Sequence, residues 1–268
     1  MVGKARRIVV CADDFGMNRA VDAGILALGV AGRVSATSCL VDGPACEADI
    51  SALLDTPLQI GLHLNFTERL GQPDLCLALP RLILASYARR LAPADLRQAI
   101  ERQLDRFEAL TGRAPHYIDG HQHVHQLPQI RDALLAVLAR RYTRQRPWLR
   151  YTGRARIAGL PWRLQAKARI IAGLGSTALR RQAMAQGIQM NPGFMGVYDF
   201  QGGAPAYLRW MGVWLAQCQD GDVLMCHPAQ GLDPAEALAA QRQAEFSVLG
   251  GPALADLLNR QQIVIQGA

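Results

Sequence analysis

Long apolar runs are missing from this 268-residue chain. The basic start, residues 1–7, is followed by only five apolar residues before Asp13-Asp14, and no other run is longer than a buried strand or helix needs. No signal-peptide core and no membrane span fit such a pattern. The six cysteines form no Cys-x-x-Cys pair, which predicts reduced and mostly buried thiols. Together these absences predict a cytoplasmic protein.

Acidic side chains are absent between Ala133 and Tyr198, where eleven arginines and Lys167 give a local charge of +12. The other 17 basic and 22 acidic residues leave the rest of the chain at −5. A field of one sign attracts nucleic acid, anionic lipid or an anionic substrate. A solvated arginine-rich face is the alternative, and the scarcity of lysine throughout the sequence favours it slightly.

Phosphate-binding loops are also missing. No Gly-x-Gly-x-x-Gly and no Walker-type sequence follows the first apolar run. Asp13-Asp14-Phe15-Gly16 stands in that place instead, and its carboxylates would repel a phosphate group. Nucleotide binding is therefore not expected.

Short apolar runs alternate with helical patterns about seven times, which predicts an α/β fold with a parallel sheet. A closed (β/α) barrel and an open doubly wound sheet both fit. The barrel is favoured because polar residues follow strands that are spread over the chain, and a closed ring brings such residues together more easily. Strands are predicted at 8–12, 38–41, 60–66, 117–119, 149–151, near 191, 223–226 and 263–265, and helices at 18–31, 44–54, 94–110, 130–141 and 207–217.

The pair Asp13-Asp14 ends the first predicted strand. Two adjacent carboxylates at the end of a buried strand are costly unless a cation or a paired base offsets them. Neighbouring residues on a strand point to opposite faces, so only a turn lets both enter one cavity. Phe15-Gly16 favours such a turn. Asp14 would then bind a metal while Asp13 stays free.

Histidines cluster at the ends of other predicted strands. Three of them, His121, His123 and His125, alternate in one segment, and on an extended backbone all three would face one cavity. His63 and His227 each end a further apolar strand. Imidazoles and carboxylates are the usual ligands of catalytic divalent metals, so the sequence predicts a metal site and a hydrolase. Cys226, which continues the apolar run before His227, is expected to pack rather than to act as a nucleophile.

Four of these motifs together resemble the YdjC-like carbohydrate deacetylase family, which includes chitooligosaccharide deacetylases and hopanoid-biosynthesis-associated deacetylases. They occur in family order from residue 8 to about 230, and they read Ala12-Asp13-Asp14-Phe15-Gly16, Gly61-Leu62-His63, Asp119-Gly120-His121-Gln122-His123-Val124-His125 and Cys226-His227-Pro228. The resemblance implies a distorted (β/α) TIM-like barrel, a single domain over residues 1–268, and a divalent metal, magnesium or zinc. Gly120 departs from the usual family pattern and is expected to loosen its turn.

Residue roles also follow from the resemblance. The metal ligands it implies are Asp14, His63 and His125. Asp13 matches the position of the catalytic base, and His227 is similar to the histidine that serves as general acid in related polysaccharide deacetylases. The implied reaction is hydrolysis of the N-acetyl group of an amino sugar, in an oligosaccharide or a glycolipid, by a metal-activated water.

Other residues are expected to support the site or to meet the substrate: His121, His123, Asp119, Arg150, Tyr198 and Asp199. Arg150 follows a predicted strand and is expected to orient Asp13 and keep it ionised. Tyr198 would stack on a sugar ring, with packing as the alternative, and Asp199 would accept hydrogen bonds from sugar hydroxyls.

The segment at about 155–190 is predicted to be a basic helical insertion or lid. It mixes Trp162 and aliphatic side chains with arginines, a composition typical of helices at anionic membrane surfaces. The segment would then approach a lipid-linked glycan at the inner leaflet. A buried helical hairpin is the alternative.

Other functions stay open at this point. Metal-dependent amidohydrolases and phosphoesterases typically carry a His-x-His pair on the first strand, where this chain has Asp13-Asp14. A nucleic-acid-binding protein would use the basic stretch, but no reading module is recognisable, so no nucleic-acid partner is expected. A catalytically silent member of the same fold and a homodimer are both compatible with the sequence.

Overall fold

A parallel sheet forms the centre of the protein, for which the computed structural model describes residues 5–71 and 75–266. Seven strands follow the order β5-β4-β3-β2-β1-β7-β6, and β8 pairs with the start of β1. The strands are β1 Arg6–Phe15, β2 Ala36–Cys39, β3 Gln59–Leu64, β4 Tyr117–Gly120, β5 Trp148–Leu149, β6 Phe194–Met195, β7 Val223–Cys226 and β8 Ile263–Ile265.

The sheet curves until its two end strands approach each other. Isolated parallel bridges join Leu149 to Met190 and Ala155 to Phe194. The side chain of Asn191 closes the same seam, since it accepts from the backbone N–H of Tyr151 and donates to the Tyr151 carbonyl. β5 and β6 have two residues each, so the seam lacks a continuous ladder. The predicted distorted (β/α) barrel is confirmed.

Helices cover the outside of this sheet. They are α1 Arg19–Val30, α2 Cys46–Leu54, α3 Leu79–Tyr87, α4 Pro93–Thr111, α5 Pro128–Arg141, α6 Trp162–Gly173, α7 Ser176–Ala185, α8 Gly203–Gln217, α9 Ala239–Gly250 and α10 Pro252–Arg260. Local sequence sets several ends: Asn18 caps α1 by accepting from the Val21 N–H, and Gly112 ends α4 in a left-handed conformation. The sequence pattern predicts no helix at α3, α9 or α10.

Both faces of the sheet are buried, which explains the continuous apolar runs of the strands. Every residue of β1 from Ile8 to Phe15 is buried. A small apolar cluster from several strands fills the interior, and the Tyr117 ring stacks on Trp148 with centroids 4.3 Å apart. Gly61 leaves room for that ring, because a Cβ there would lie 2.4 Å from Tyr117. The polar residues at the carboxyl ends of the strands therefore lie at one end of a barrel whose interior is filled by apolar side chains.

The basic segment predicted as an insertion contains the helix pair α6 and α7. The Gln126 side chain donates to the Ile171 carbonyl and Lys167 donates to the Tyr198 carbonyl, so α6 is attached to the loops that follow β4 and β6. Its inner face is buried, but Trp162 and Ile170 are 72% and 64% exposed. None of the helices within residues 5–71 and 75–266 is both long and apolar enough to span a lipid bilayer. The six cysteines are free, and five of them are buried, as predicted.

Candidate functional site

The two aspartates of β1 reach the same region because the strand contains a bulge. Its register against β2 shifts between Ala12 and Phe15, and Asp14 has a φ of +74°. A bulge re-aims the side chains around it, so the adjacent carboxylates need not point to opposite faces. Gly16 follows with a φ of +94°, and a Cβ there would lie 2.7 Å from the Leu40 carbonyl oxygen. The predicted turn is therefore present, inside a strand that runs three residues past its predicted end.

Asp13 is held by Arg150, which is fully buried. Two Arg150 nitrogens donate to the two Asp13 oxygens, both at 2.6 Å, and the second nitrogen lies 2.6 Å from Asp119. Ser38 donates to Asp119 at 2.7 Å. Burial alone would raise the pKa of Asp13, but the Arg150 guanidinium more than offsets it and holds that pKa below its usual value. Arg150 thus contacts Asp13, the residue that it is predicted to orient.

Replacing Arg150 with methionine is expected to destabilise the protein by about 3–5 kcal/mol, because Asp13 and Asp119 would lose the cation between them. Urea unfolding measures this loss. Arg156→Met is the matched control, since Arg156 also pairs with a buried aspartate, Asp222, but is 18% exposed and far more accessible to water. Equal losses in the two variants would contradict a special role for Arg150.

Asp14, His63 and His121 form a second cluster, whose ligand atoms all lie within 4.8 Å of one another. Asp14 Oδ1 is 3.4 Å from His63 Nε2 and 3.0 Å from His121 Nδ1. The other ring nitrogen of His63 donates to Asp119 at 2.6 Å. Metal-binding histidines usually make such a bond to a carboxylate, which fixes their orientation. Two imidazoles and one carboxylate fit a divalent cation such as zinc.

Without a cation, protonated histidines balance the carboxylates of this cluster. Burial lowers the pKa of His63, but the carboxylates of Asp119 and Asp14 outweigh it and raise that pKa to about 10. For His121, burial is likewise outweighed by Asp14 and Glu68, and its pKa is raised. A metal ligand must be a neutral imidazole, so a cation would displace these protons, and its affinity would fall as the pH falls.

A second group of donor atoms belongs to Cys11, Asp13 and Asp119. The guanidinium of Arg150 already occupies its centre, with Nη2 2.9 Å from the Cys11 sulfur as well as bonded to both carboxylates. A permanent cation stands where a metal would have to bind. Of the two groups, the one at Asp14 is therefore the candidate metal site.

The three alternating histidines do not lie on an extended segment, so the predicted backbone is wrong and gives no reason for all three to face one cavity. They lie in His121–Gln126, where two short 3₁₀ turns meet at a kink formed by Gln122 and His123, with φ values of +52° and +61°. His121 turns towards Asp14, whereas His125 is buried and donates from Nε2 to the Arg150 carbonyl at 2.9 Å. The ligand set implied by the resemblance contained His125, and the cluster in the structure contains His121 in its place.

Gly120 was expected to loosen its turn, but it allows a close approach of the backbone instead. A Cβ at this position would lie 2.8 Å from the backbone nitrogen of His125. Glycine thus lets the chain fold back closely on itself. His123, which follows the same turn, packs edge-on against Phe194 with ring centroids 5.7 Å apart, and burial holds its pKa well below the usual value.

His227 follows β7 directly. Its backbone N–H donates to Glu245 at 2.6 Å, and the Phe200 ring lies 5.0 Å away, nearly perpendicular to the imidazole. Burial lowers the pKa of His227 to about 4, despite the opposing effect of Asp14 and Asp13. The imidazole is therefore neutral at pH 7. Its Nδ1 is buried and has no hydrogen-bond partner among the described residues.

Cys226 is buried, and burial raises the pKa of its thiol well above the usual value. It therefore packs, as predicted. Tyr198 also packs, so its predicted stacking on a sugar ring is wrong. Its side chain is 1% exposed, its hydroxyl bonds to Glu245, and the rings of Phe200 and Tyr207 lie against it. Asp199 is exposed, and Phe200 is the aromatic residue of this loop nearest to His227.

Two residues of α9 contact the candidate site, and the sequence predicted neither of them. Arg242 donates to Asp14 Oδ2 at 2.6 Å, and Glu245 accepts from the backbone of His227. Their spacing of three residues puts them on the same helix face. That spacing was the only signal, and it is shared by many charged pairs on solvated helices.

The protein is a distorted (β/α) barrel. Paired aspartates, a histidine cluster and a further histidine lie at the carboxyl ends of its strands. The chain belongs to the YdjC-like protein family, whose sequence model matches residues 7–260. A carbohydrate deacetylase from Homo sapiens is 32% identical over 269 residues, which cover 94% of this chain and 73% of the human protein. One from Mus musculus is 37% identical over 139 residues, 46% of this chain and 44% of the mouse protein, so that match spans less than half of the mouse protein.

A solved structure shows the same fold. It is the crystal structure of a protein from Enterococcus faecalis V583 described as a candidate cellobiose-phosphate cleavage protein. The two chains superpose with a TM-score of 0.71 at 20% identity, over 98% of this chain and 97% of the other.

Proposed function

We propose that this protein is a metal-dependent deacetylase that hydrolyses the N-acetyl group of an N-acetylated amino sugar, in an oligosaccharide or a glycolipid. The observation that carries the proposal is the placement of an ionised, arginine-held Asp13 next to the donor cluster of Asp14, His63 and His121. The carbohydrate deacetylases of human and mouse that resemble this chain support the same activity.

The residues that would hold the cation are Asp14, His63 and His121. A divalent cation bound there supplies Lewis-acid polarisation of an acetyl carbonyl and acidification of water. Three protein ligands leave further positions open, as in other catalytic sites. Asp119 supports this arrangement by orienting His63.

Asp13 is the proposed general base. Its ionised form is secured by Arg150, so it can accept a proton from the attacking water over a wide pH range. Arg150 binds both Asp13 oxygens and thereby fixes the direction from which a proton arrives. Orientation compensates for the weak basicity of a carboxylate whose pKa is lowered.

His227 is the proposed general acid. The departing amine needs one proton, and the attacking water releases one. Because His227 is neutral before the reaction, it has to take up a proton before it can protonate the amine, and the proton that Asp13 removes from the water balances this uptake. His227 therefore acts as a relay rather than as a stored acid.

The glycolipid form of the substrate is supported by the outer face of α6. Trp162 and Ile170 are exposed there, next to Arg163 and Arg169 in a part of the chain without acidic residues. Such a face suits an anionic lipid surface. A soluble oligosaccharide substrate would not need this exposed face of α6. An experiment with both substrate types can therefore distinguish them.

The test is an acetate-release assay on N-acetylglucosamine oligomers and on N-acetylated glycolipids in anionic or neutral vesicles, with and without EDTA. We expect release that EDTA abolishes and that added Zn²⁺ or Mg²⁺ restores. Faster release from anionic vesicles, lost in a Trp162→Ser variant, would support the lipid-bound substrate; equal rates in both vesicles would exclude that contact. An absence of acetate from every substrate would contradict the proposed function.

A further inference from the structure

Arg242 is buried beside the proposed metal ligand Asp14, with side chains that are 3% and 2% exposed. Its Nη2 donates to Asp14 Oδ2 at 2.6 Å. Its Nε donates to Glu236, and Glu236 in turn accepts from the side chain of Asn18 at 2.9 Å. The guanidinium is thus fixed on two sides by carboxylates.

The two oxygens of Asp14 face different partners. Oδ1 lies 3.4 Å from His63 and 3.0 Å from His121, while Oδ2 is bonded to Arg242. A cation held by the cluster would share one carboxylate with a permanent positive charge, since arginine does not deprotonate in proteins. Arg242 is therefore close to that cation, in a buried place where charges interact strongly.

We propose that Arg242 is a built-in counter-ion of Asp14 that stabilises the cation-free site and weakens its hold on the divalent metal. The proposal rests on the assignment of Asp14 as a metal ligand in the proposed function. Without metal, Arg242 compensates the buried Asp14 carboxylate through Oδ2, the oxygen that neither His63 nor His121 contacts. With metal, it repels the bound cation.

Two effects of removing Arg242 oppose each other. Asp14 would lose a partner that fixes its rotamer, which costs metal affinity. The bound cation would lose a neighbouring like charge, which increases metal affinity. The second effect should dominate, because an aspartate side chain has little rotamer freedom to lose and the repulsion acts through a single shared carboxylate. A purely structural role for Arg242 would instead lower stability and metal affinity together.

The test uses isothermal titration of Mn²⁺ or Zn²⁺ into EDTA-treated protein, with thermal unfolding of the metal-free form. Arg242→Met is expected to bind the metal at least about tenfold more tightly, equivalent to about 1.4 kcal/mol, and to unfold at a lower temperature without metal. Arg242→Lys keeps the charge and should bind within about threefold of the unchanged protein. Arg260→Met, on α10 and away from the site, should change neither quantity.

Glu236→Gln gives a test of opposite sign that leaves Arg242 in place. It removes the charge that partly neutralises Arg242, so metal binding should weaken several-fold. If Arg242→Met binds metal no more tightly than the unchanged protein does, the proposal is wrong. If that variant does not fold, the proposal is wrong when Glu236→Gln binds metal as tightly as the unchanged protein or more tightly. A parent protein that binds no divalent metal would also overturn it, whereas firm metal binding without acetate release would contradict only the proposed function.

Discussion

Asparagine in place of Asp13 is expected to lower the rate of acetate release by a factor of about 1,000, while the protein keeps its divalent metal. The amide has the same shape as the carboxylate but takes no proton from water. Its oxygen still accepts from Arg150, and Asp119 still balances the Arg150 charge, so the fold should survive. Asp14, His63 and His121 are unchanged, which is why titration should find the metal bound as before.

Asp222→Asn is the matched control for this experiment. Asp222 is also buried, and its two oxygens also accept from two guanidinium nitrogens of one arginine, Arg156. It lies at the opposite end of the barrel, before β7. This variant should lose stability and keep its rate of acetate release within about twofold, since surface and structural changes away from a site act on folding rather than on chemistry. If Asp13→Asn retains more than a tenth of the original rate, Asp13 is not the base.

Alanine in place of His121 is expected to weaken the binding of Zn²⁺ or Mn²⁺ by a factor of about 100 or more. Loss of a residue that merely supports a ligand costs about 10–100-fold in affinity, so loss of one of three ligands should cost at least as much. His121 is only partly buried, and its removal leaves the Asp13–Arg150–Asp119 network intact, so the variant should fold. Isothermal titration on metal-depleted protein measures the change.

His125→Ala is the discriminating partner of that variant. His125 is fully buried and bonded to the Arg150 carbonyl, so its loss should destabilise the protein by about 2–4 kcal/mol. Its effect on metal affinity should stay below about tenfold. The reverse result, with metal binding lost in His125→Ala and kept in His121→Ala, would restore the ligand set that the family resemblance implied.

Much of the fold could be predicted because each element carries its own signal. Strands that are buried on both faces are continuous apolar runs, and helix ends such as Asn18 and Gly112 are marked by local chemistry. Polar residues directly after those runs, such as Asp13, His63 and His227, had to gather at one end of a parallel barrel. The sequence by itself therefore determined the fold class and the end of the barrel at which these residues gather.

Only the tertiary structure decided which side chains meet there. The choice between His121 and His125 depends on the left-handed backbone at Gln122 and His123, which no periodicity reveals. The bond between Asp14 and Arg242 joins residues 228 positions apart and depends on how α9 packs beside β1. Sequence spacing specifies positions along one element, whereas the contents of a site are set by the packing of several elements against one another.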